Sequence, residues 1–97
     1  MTIRRLWYVA PGEVEWRAAP RPSLNARHAA LVRPIAATTC DLDVMILRGQ
    51  TPFTGPIALG HECIGEVVEL GPDVRSLTLG QTVVVPWHVS CGACPRC

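Results

Sequence analysis

Apolar and polar positions alternate along much of the chain, as they do in strands with one wet face. Residues 4–9 and 13–18 mix aromatic, aliphatic and charged side chains, and a Pro-Gly pair separates the two segments. This arrangement predicts two strands joined by a tight turn. A third strand is predicted over residues 29–38, where Pro34 places it at a sheet edge or interrupts it.

The period of the pattern changes over residues 41–48. Leu42, Met45 and Ile46 fall at positions i, i+3 and i+4, which is one face of a short helix. Thr39 is placed to cap the helix, acidic residues occupy its first turn, and an Arg-Gly pair follows its last turn. The sequence therefore predicts one short helix after the third strand.

Two more strands are predicted further along the chain. They cover residues 64–70 and 81–87, and a Gly-Pro-Asp turn follows the first of them. Residues 50–56 contain two prolines and a glycine and predict a loop, as does everything after Trp87. The sum is a mainly β domain with one short helix. The sequence contains no G-x-G-x-x-G, so these residues do not include a dinucleotide-binding fingerprint.

Composition limits the class of protein. The chain has 97 residues, of which 48% are apolar and 18% are charged, so it is globular and forms one domain or part of one. A net charge of +1 does not provide the basic footprint of a nucleic-acid-binding protein. The longest apolar run has only five residues, too few for a membrane helix or a signal-peptide core. We therefore expect a cytoplasmic protein without nucleic-acid or membrane partners.

The five cysteines are the first sign of chemistry, and their odd number argues against a disulfide framework. Cys91, Cys94 and Cys97 form C-x-x-C-x-x-C, a spacing that lets one tight loop aim three sulfurs at one point. Three thiolates are three of the four ligands of a structural zinc site. Iron–sulfur clusters use similar runs, so the spacing alone does not name the metal.

A second group of candidate ligands is dispersed along the chain. Cys40 lies at the start of the predicted helix, where unpaired N–H groups favour a thiolate, and His61 and Glu62 directly precede a predicted strand. Cys, His and Glu can hold a catalytic zinc that keeps one position open, and Asp43 could orient the imidazole. On spacing alone, a packed cysteine and a surface His-Glu pair are the more common explanation of the same residues.

Together these motifs resemble the N-terminal, GroES-like domain of the zinc-dependent medium-chain alcohol dehydrogenases. The resemblance implies a GroES-like, partly open β-barrel with a short helix, spanning residues 1–97 and incomplete at its C-terminus. It also implies that the Rossmann domain of the family is absent from this chain. The matching order is Cys40, Asp43, Gly60-His61-Glu62, Gly65, Val67, Gly71, Val74, Gly80, Val83-Val84 and Cys91-Gly92-x-Cys94-x-x-Cys97.

The resemblance also implies the roles of these residues. Cys40 and His61 would hold a catalytic zinc, with Glu62 as an adjacent or alternating ligand and Asp43 behind the histidine. The residues that would hold a structural zinc are Cys91, Cys94 and Cys97. The complete enzyme would oxidise a small alcohol or polyol with NAD or NADP, bound by a domain outside this chain, and would form a homo-oligomer.

Two residues between Cys40 and Asp43 depart from the family pattern: Asp41 replaces the usual Gly or Arg, and Leu42 follows it. Leu42 occupies the place where the family usually has the Ser or Thr that begins the proton relay, so Thr38, Thr39, Glu62 or a zinc-bound water would have to replace it. We expect the 97 residues alone to be inactive, with a partly disordered tail from about Val89. The competing hypotheses are a stand-alone GroES-like zinc-binding module and an iron–sulfur electron carrier.

Overall fold

The computed structural model describes residues 2–97, which fold into six strands and one short helix. The strands form two separate three-stranded antiparallel sheets, ordered β2-β1-β4 and β3-β5-β6. The mainly β fold predicted from the sequence is confirmed. The elements are β1 Thr2–Ala10, β2 Glu13–Pro20, β3 Ala30–Ala37, α1 Asp41–Leu47, β4 Ile57–Ala58, β5 Cys63–Leu70 and β6 Thr82–Val85.

The first sheet is built on the predicted hairpin. Strands β1 and β2 pair over nearly their whole length, with Leu6 opposite Trp16, and one irregularity between Tyr8 and Ala10 precedes the turn. Strand β4 pairs with the other side of β1 through two residues only. Sequence reasoning missed β4, because two residues inside a Pro- and Gly-rich segment carry no alternation that could reveal a strand.

The second sheet places β5 between β3 and β6. Pro34 lies on β3, an edge strand, and the register shifts between Pro34 and Ala36, as a residue without an N–H donor requires. The prediction for this proline is confirmed. Strand β6 ends at Val85, two residues before the predicted end, so Trp87 lies in the following loop.

Helix α1 begins at Asp41, one residue later than a cap at Thr39 would place it. Cys40, not Thr39, is the N-cap residue, so that prediction was wrong. The reason is the side chain of Asp43, which accepts a 2.9 Å hydrogen bond from the backbone N–H of Cys40 and so satisfies the start of the helix. Of the predicted apolar face only Ile46 is buried, while Leu42 and Met45 stay exposed.

The buried core is small. Among the described residues the buried apolar side chains are Tyr8 of β1, Ile46 of α1 and Val67 of β5, one from each of three elements. Many larger apolar side chains on both sheets are exposed, Trp16 and Val84 among them. In the part of the chain that the structure describes, no helix is long and apolar enough to cross a membrane.

Candidate metal centres

Strand pairing brings together the first group of predicted ligands. Ala37, the last residue of β3, lies opposite Cys63, the first residue of β5. Cys40 follows Ala37 by three residues and His61 precedes Cys63 by two, so the antiparallel pairing carries both to the same end of the sheet. The Sγ of Cys40 and the Nε2 of His61 lie 3.2 Å apart.

The backbone before His61 is bent in a way that few residues allow. Gly60 has a φ of +106°, a conformation that side chains with a Cβ rarely adopt. This bend turns the chain from β4 into β5 and presents His61 and Glu62 toward Cys40. The glycine of the Gly-His-Glu motif is therefore required by the backbone itself.

Asp43 connects the helix cap to the histidine. One of its carboxylate oxygens, Oδ2, accepts the Cys40 N–H, and the other, Oδ1, lies 3.5 Å from Nδ1 of His61. The Asp43 side chain is only 13% exposed, so it is held in this position. A carboxylate on the Nδ1 side favours a proton there and leaves the Nε2 lone pair facing Cys40, which is the orientation of a metal-bound imidazole.

The donor atoms of this cluster fit a zinc ion. One ligand atom each from Cys40, His61 and Glu62 lies within 4.8 Å of the others, and all three residues are half-buried. In a tetrahedral site with ordinary bond lengths, sulfur and nitrogen ligands are separated by roughly 3.5 Å. The observed 3.2 Å separation between Cys40 and His61 is close to that value. Glu62 Oε1, 3.7 Å from His61 Nε2, supplies a third donor.

A cavity of about 340 Å³ opens beside this cluster. Its described lining consists of the three cluster residues together with Leu42 and Trp87. The sequence predicts Leu42 on the apolar face of the helix and Trp87 at the end of the last strand, and neither pattern indicates a place on a cavity. Neither Thr38 nor Thr39 belongs to the described lining, whereas Glu62 does.

The second cluster lies in the exposed loop at residues 91–97. Cys97 Sγ is 3.3 Å from Cys94 Sγ and 3.7 Å from Cys91 Sγ. In a tetrahedral zinc–thiolate site the sulfurs are separated by roughly 3.8 Å, so these three fit one face of such a site. Gly92, with a φ of +72°, makes the turn that brings the sulfurs together.

Local hydrogen bonds favour the thiolate form in this loop. Hydrogen bonds lower the pKa of Cys97 to about 6; the bond with the Cys94 thiol has the largest influence and the bond from the backbone N–H of Gly92 the second largest. The backbone N–H of Ala93 lies 3.5 Å from Cys91 Sγ and is the largest influence lowering the pKa of Cys91. Because thiolates are the metal-binding form of cysteine, these hydrogen bonds favour cation binding by the metal-free loop.

The fifth cysteine belongs to neither cluster. Cys63, the first residue of β5, is half-buried and lines a separate cavity with Ile64 and Val84. The structure therefore divides the cysteines into one at the helix cap, one in a strand and three in the loop.

Comparison with known proteins adds an independent observation. The sequence model of the alcohol dehydrogenase GroES-like domain matches residues 26–97. A protein of Mycobacterium tuberculosis named as a zinc-binding alcohol dehydrogenase is 41% identical over 86 residues, which cover 89% of this chain and 22% of the relative.

Solved structures resemble the fold as well. The alcohol dehydrogenase TADH from Thermus sp. ATN1 superposes with a TM-score of 0.89 at 33% identity, covering 98% of this chain and 28% of that one. A protein from Sinorhizobium meliloti named as a zinc-binding dehydrogenase, whose structure holds NADP, gives a TM-score of 0.81 at 32% identity over the full chain and 28% of its own length. The chain thus spans about a quarter of the length of these relatives.

Proposed function

The chain belongs to the alcohol dehydrogenase GroES-like domain family, and we propose that it forms the metal-binding side of an NAD(P)-linked alcohol dehydrogenase. The observation that carries this proposal is the cluster of Cys40, His61 and Glu62 on the wall of an open cavity. Three protein donors beside open space are typical of a catalytic zinc, which keeps a position for substrate.

We assign some residues of the cavity to metal binding and others to contact with the substrate. Cys40 and His61 would bind zinc, and Asp43 holds the His61 ring with Nε2 toward Cys40. A zinc ion bound there would supply Lewis-acid polarisation of the substrate oxygen. Leu42 and Trp87 would give the substrate's carbon skeleton an apolar surface to contact in the same cavity.

The substrate proton needs an acceptor, and Leu42 cannot provide one. Of the described lining residues other than Cys40 and His61, only Glu62 carries a group that accepts a proton. We therefore assign Glu62 the role of proton acceptor. Thr38 lines only the neighbouring cavity, to which Glu62 also belongs, and donates its hydroxyl to the Thr39 carbonyl, so it is less suited to this role.

The remaining parts of the reaction lie outside these residues. The hydride would pass to NAD or NADP, held by a further domain outside these residues, and NADP is present in the Sinorhizobium structure. Cys91, Cys94 and Cys97 would hold a structural zinc that braces the loop. We expect a cytoplasmic homo-oligomer acting on a small alcohol or polyol, and no dehydrogenase activity from the 97 residues alone.

The test begins with the native gene product purified from its own cell, whose intact mass and zinc content are determined. We expect zinc-dependent formation of reduced nicotinamide with a panel of primary alcohols, polyols and aldehyde hydrates. Chelation should abolish the activity and added zinc should restore it. His61→Ala should be inactive, while Cys63→Ser, a cysteine outside both clusters, should retain activity.

Other outcomes separate the competing functions. A product of about 10.5 kDa that binds zinc without activity would indicate a stand-alone zinc-binding module. Visible charge-transfer absorption with bound iron would indicate an electron carrier built on the cysteine loop. Activity that survives complete removal of zinc would contradict the proposed function.

A further inference from the structure

Strand β2 is an uncovered edge of the first sheet. The order β2-β1-β4 gives it one neighbour, and among the described residues no backbone hydrogen bond joins its outer side to another segment. Every second N–H and C=O of such a strand is left without a partner in the sheet, which makes it a template for another strand.

The other edge strands are poorer templates. Strand β3 carries Pro34 and two irregularities of register, β4 has two residues, and β6 has four. Strand β2 has eight residues, and its only proline is the last of them, Pro20. The longest uninterrupted edge among the described residues is therefore that of β2.

The sequence of β2 is complementary to itself in the antiparallel direction. When Trp16 is placed opposite Trp16 of a second copy, Glu15 faces Arg17 of that copy and Arg17 faces its Glu15. Moving the centre to Glu15 places two glutamates opposite each other, although Glu13 then faces Arg17, and moving it to Arg17 places two arginines opposite each other. Because opposite charges directly across two strands stabilise the pair and like charges destabilise it, one register is preferred.

The exposed side chains of β2 support the same pairing. Trp16 is 59% exposed and Val14 is 46% exposed, and both lie on one face of the hairpin. Arg4 of the neighbouring strand lies 5.9 Å from the Trp16 ring. In the paired arrangement Val14 faces Ala18 of the second copy, so the apolar residues of both copies form one continuous patch around Trp16.

We propose that β2 is a self-association surface, which pairs antiparallel with β2 of a second copy of this chain around a two-fold axis at Trp16. Charged residues on an edge strand normally discourage pairing. Here Glu15 and Arg17 lie on either side of the axis, and within one chain they form an ion pair with each other. In the dimer each would pair with the oppositely charged residue of the second copy, so no charge would lose its partner. The net charge of +1 does not oppose association.

The interface is isologous and small, so we expect a weak dimer that forms with increasing concentration. The pairing uses the first sheet and involves none of the proposed metal ligands. It therefore stands or fails independently of the proposed function, and chelation should leave it unchanged.

The test uses charge reversal and sedimentation equilibrium over a range of concentrations. In the dimer, position 15 of each copy faces position 17 of the other. Glu15→Arg therefore places two arginines opposite each other at both of these contacts, and Arg17→Glu places two glutamates opposite each other. Each variant alone should raise the dimer dissociation constant by at least about tenfold. An equimolar mixture of the two should associate again, because every arginine then faces a glutamate. The double variant Glu15→Arg/Arg17→Glu should also dimerise.

The mixture separates pairing from a purely structural effect. Arg17 also lies 5.4 Å from the Trp7 ring, so its loss could disturb the hairpin, but a disturbed hairpin would not be restored by mixing. Arg75→Glu, the same charge change on an exposed residue away from β2, is the matched control and should associate like the unaltered chain. Unaltered chain that stays monomeric, single variants that dimerise normally, or a mixture that stays monomeric would each overturn the proposal.

Discussion

The two metal clusters of this chain are built in opposite ways. Cys40 and His61 lie 21 residues apart in sequence, and a strand pair, a helix cap and a glycine bend bring them together half-buried beside a cavity. Cys91 and Cys97 lie six residues apart in one exposed loop, with no helix or strand in residues 86–97. The fold makes the first site, whereas local spacing makes the second.

This difference leads to opposite dependences on metal. The cavity cluster should keep its geometry without an ion, because β3, β5 and Asp43 hold its members. The loop cluster has no buried side chain to hold it, so an ion should contribute most of its order. Three substitutions and one measurement of thiol reactivity test this comparison.

Loss of a loop ligand should have the largest effect. Cys94→Ser removes the central sulfur of the cluster and also the main group that lowers the Cys97 pKa. We expect zinc affinity at the loop to fall by more than the roughly 10–100-fold seen when residues behind a ligand are altered. Amide exchange protection over residues 91–97 should be lost with it. Cys63→Ser is the control, and equal protection in both variants would show that the ion does not order the loop.

Loss of a cavity ligand should remove an ion without disturbing the fold. His61→Ala should lower zinc affinity at the cavity by more than about 100-fold, while the free energy of unfolding of the metal-free chain changes by less than about 1 kcal/mol. Chemical denaturation of the metal-free chain and isothermal titration with zinc measure the two quantities. A large loss of stability in the metal-free variant would mean that His61 is primarily a packing residue.

Loss of the Asp43 charge should lower zinc affinity at the cavity less than loss of a ligand does. Asp43→Asn keeps an oxygen that can accept the Cys40 N–H but removes the charge that orients His61. Zinc affinity at the cavity should fall about 10–100-fold. The matched control is Asp41→Asn in the same helical turn, since Asp41 is exposed and makes neither contact. Equal effects of the two substitutions would refute a specific role for Asp43.

The reactivity of Cys97 toward alkylation at neutral pH should set the loop apart from an ordinary thiol. Since the pKa of Cys97 is lowered to about 6, its thiolate is present near pH 7 and is lost as the pH falls through that value. At pH 7, alkylation of the metal-free chain, followed residue by residue with mass spectrometry, should modify Cys97 about two- to threefold faster than a free thiol of ordinary pKa, because the larger thiolate fraction is partly offset by the lower nucleophilicity of a low-pKa thiolate. A rate profile that rises only above about pH 8 would contradict this expectation.

The contrast between the clusters also explains what could be predicted from the sequence. The spacing of Cys91, Cys94 and Cys97 is a local property, so the loop cluster was visible without any fold. The pairing of Cys40 with His61 depends on the register of β3 with β5, so spacing alone could not distinguish it from two unrelated residues, and the family resemblance supplied the assignment.

Other features depend on tertiary contacts that have no local signature. The cavity positions of Leu42 and Trp87 follow from where α1 and the loop after β6 come to lie, and the periodicity of α1 had indicated a buried face for Leu42. The helix cap at Cys40 instead of Thr39 depends on one hydrogen bond from its N–H to Asp43. By contrast, the hairpin of β1 and β2 was predicted because alternation and turn residues are both local.

The most direct test of the account is the first coordination shell of zinc in the Cys94→Ser variant, measured by X-ray absorption together with zinc content. With the loop site disabled, we expect one bound zinc with a single sulfur at about 2.3 Å and nitrogen or oxygen ligands at about 2.0–2.2 Å. Adding His61→Ala should remove that ion. A shell of several sulfurs, or a variant without zinc, would contradict the claim that Cys40, His61 and Glu62 form an open metal site.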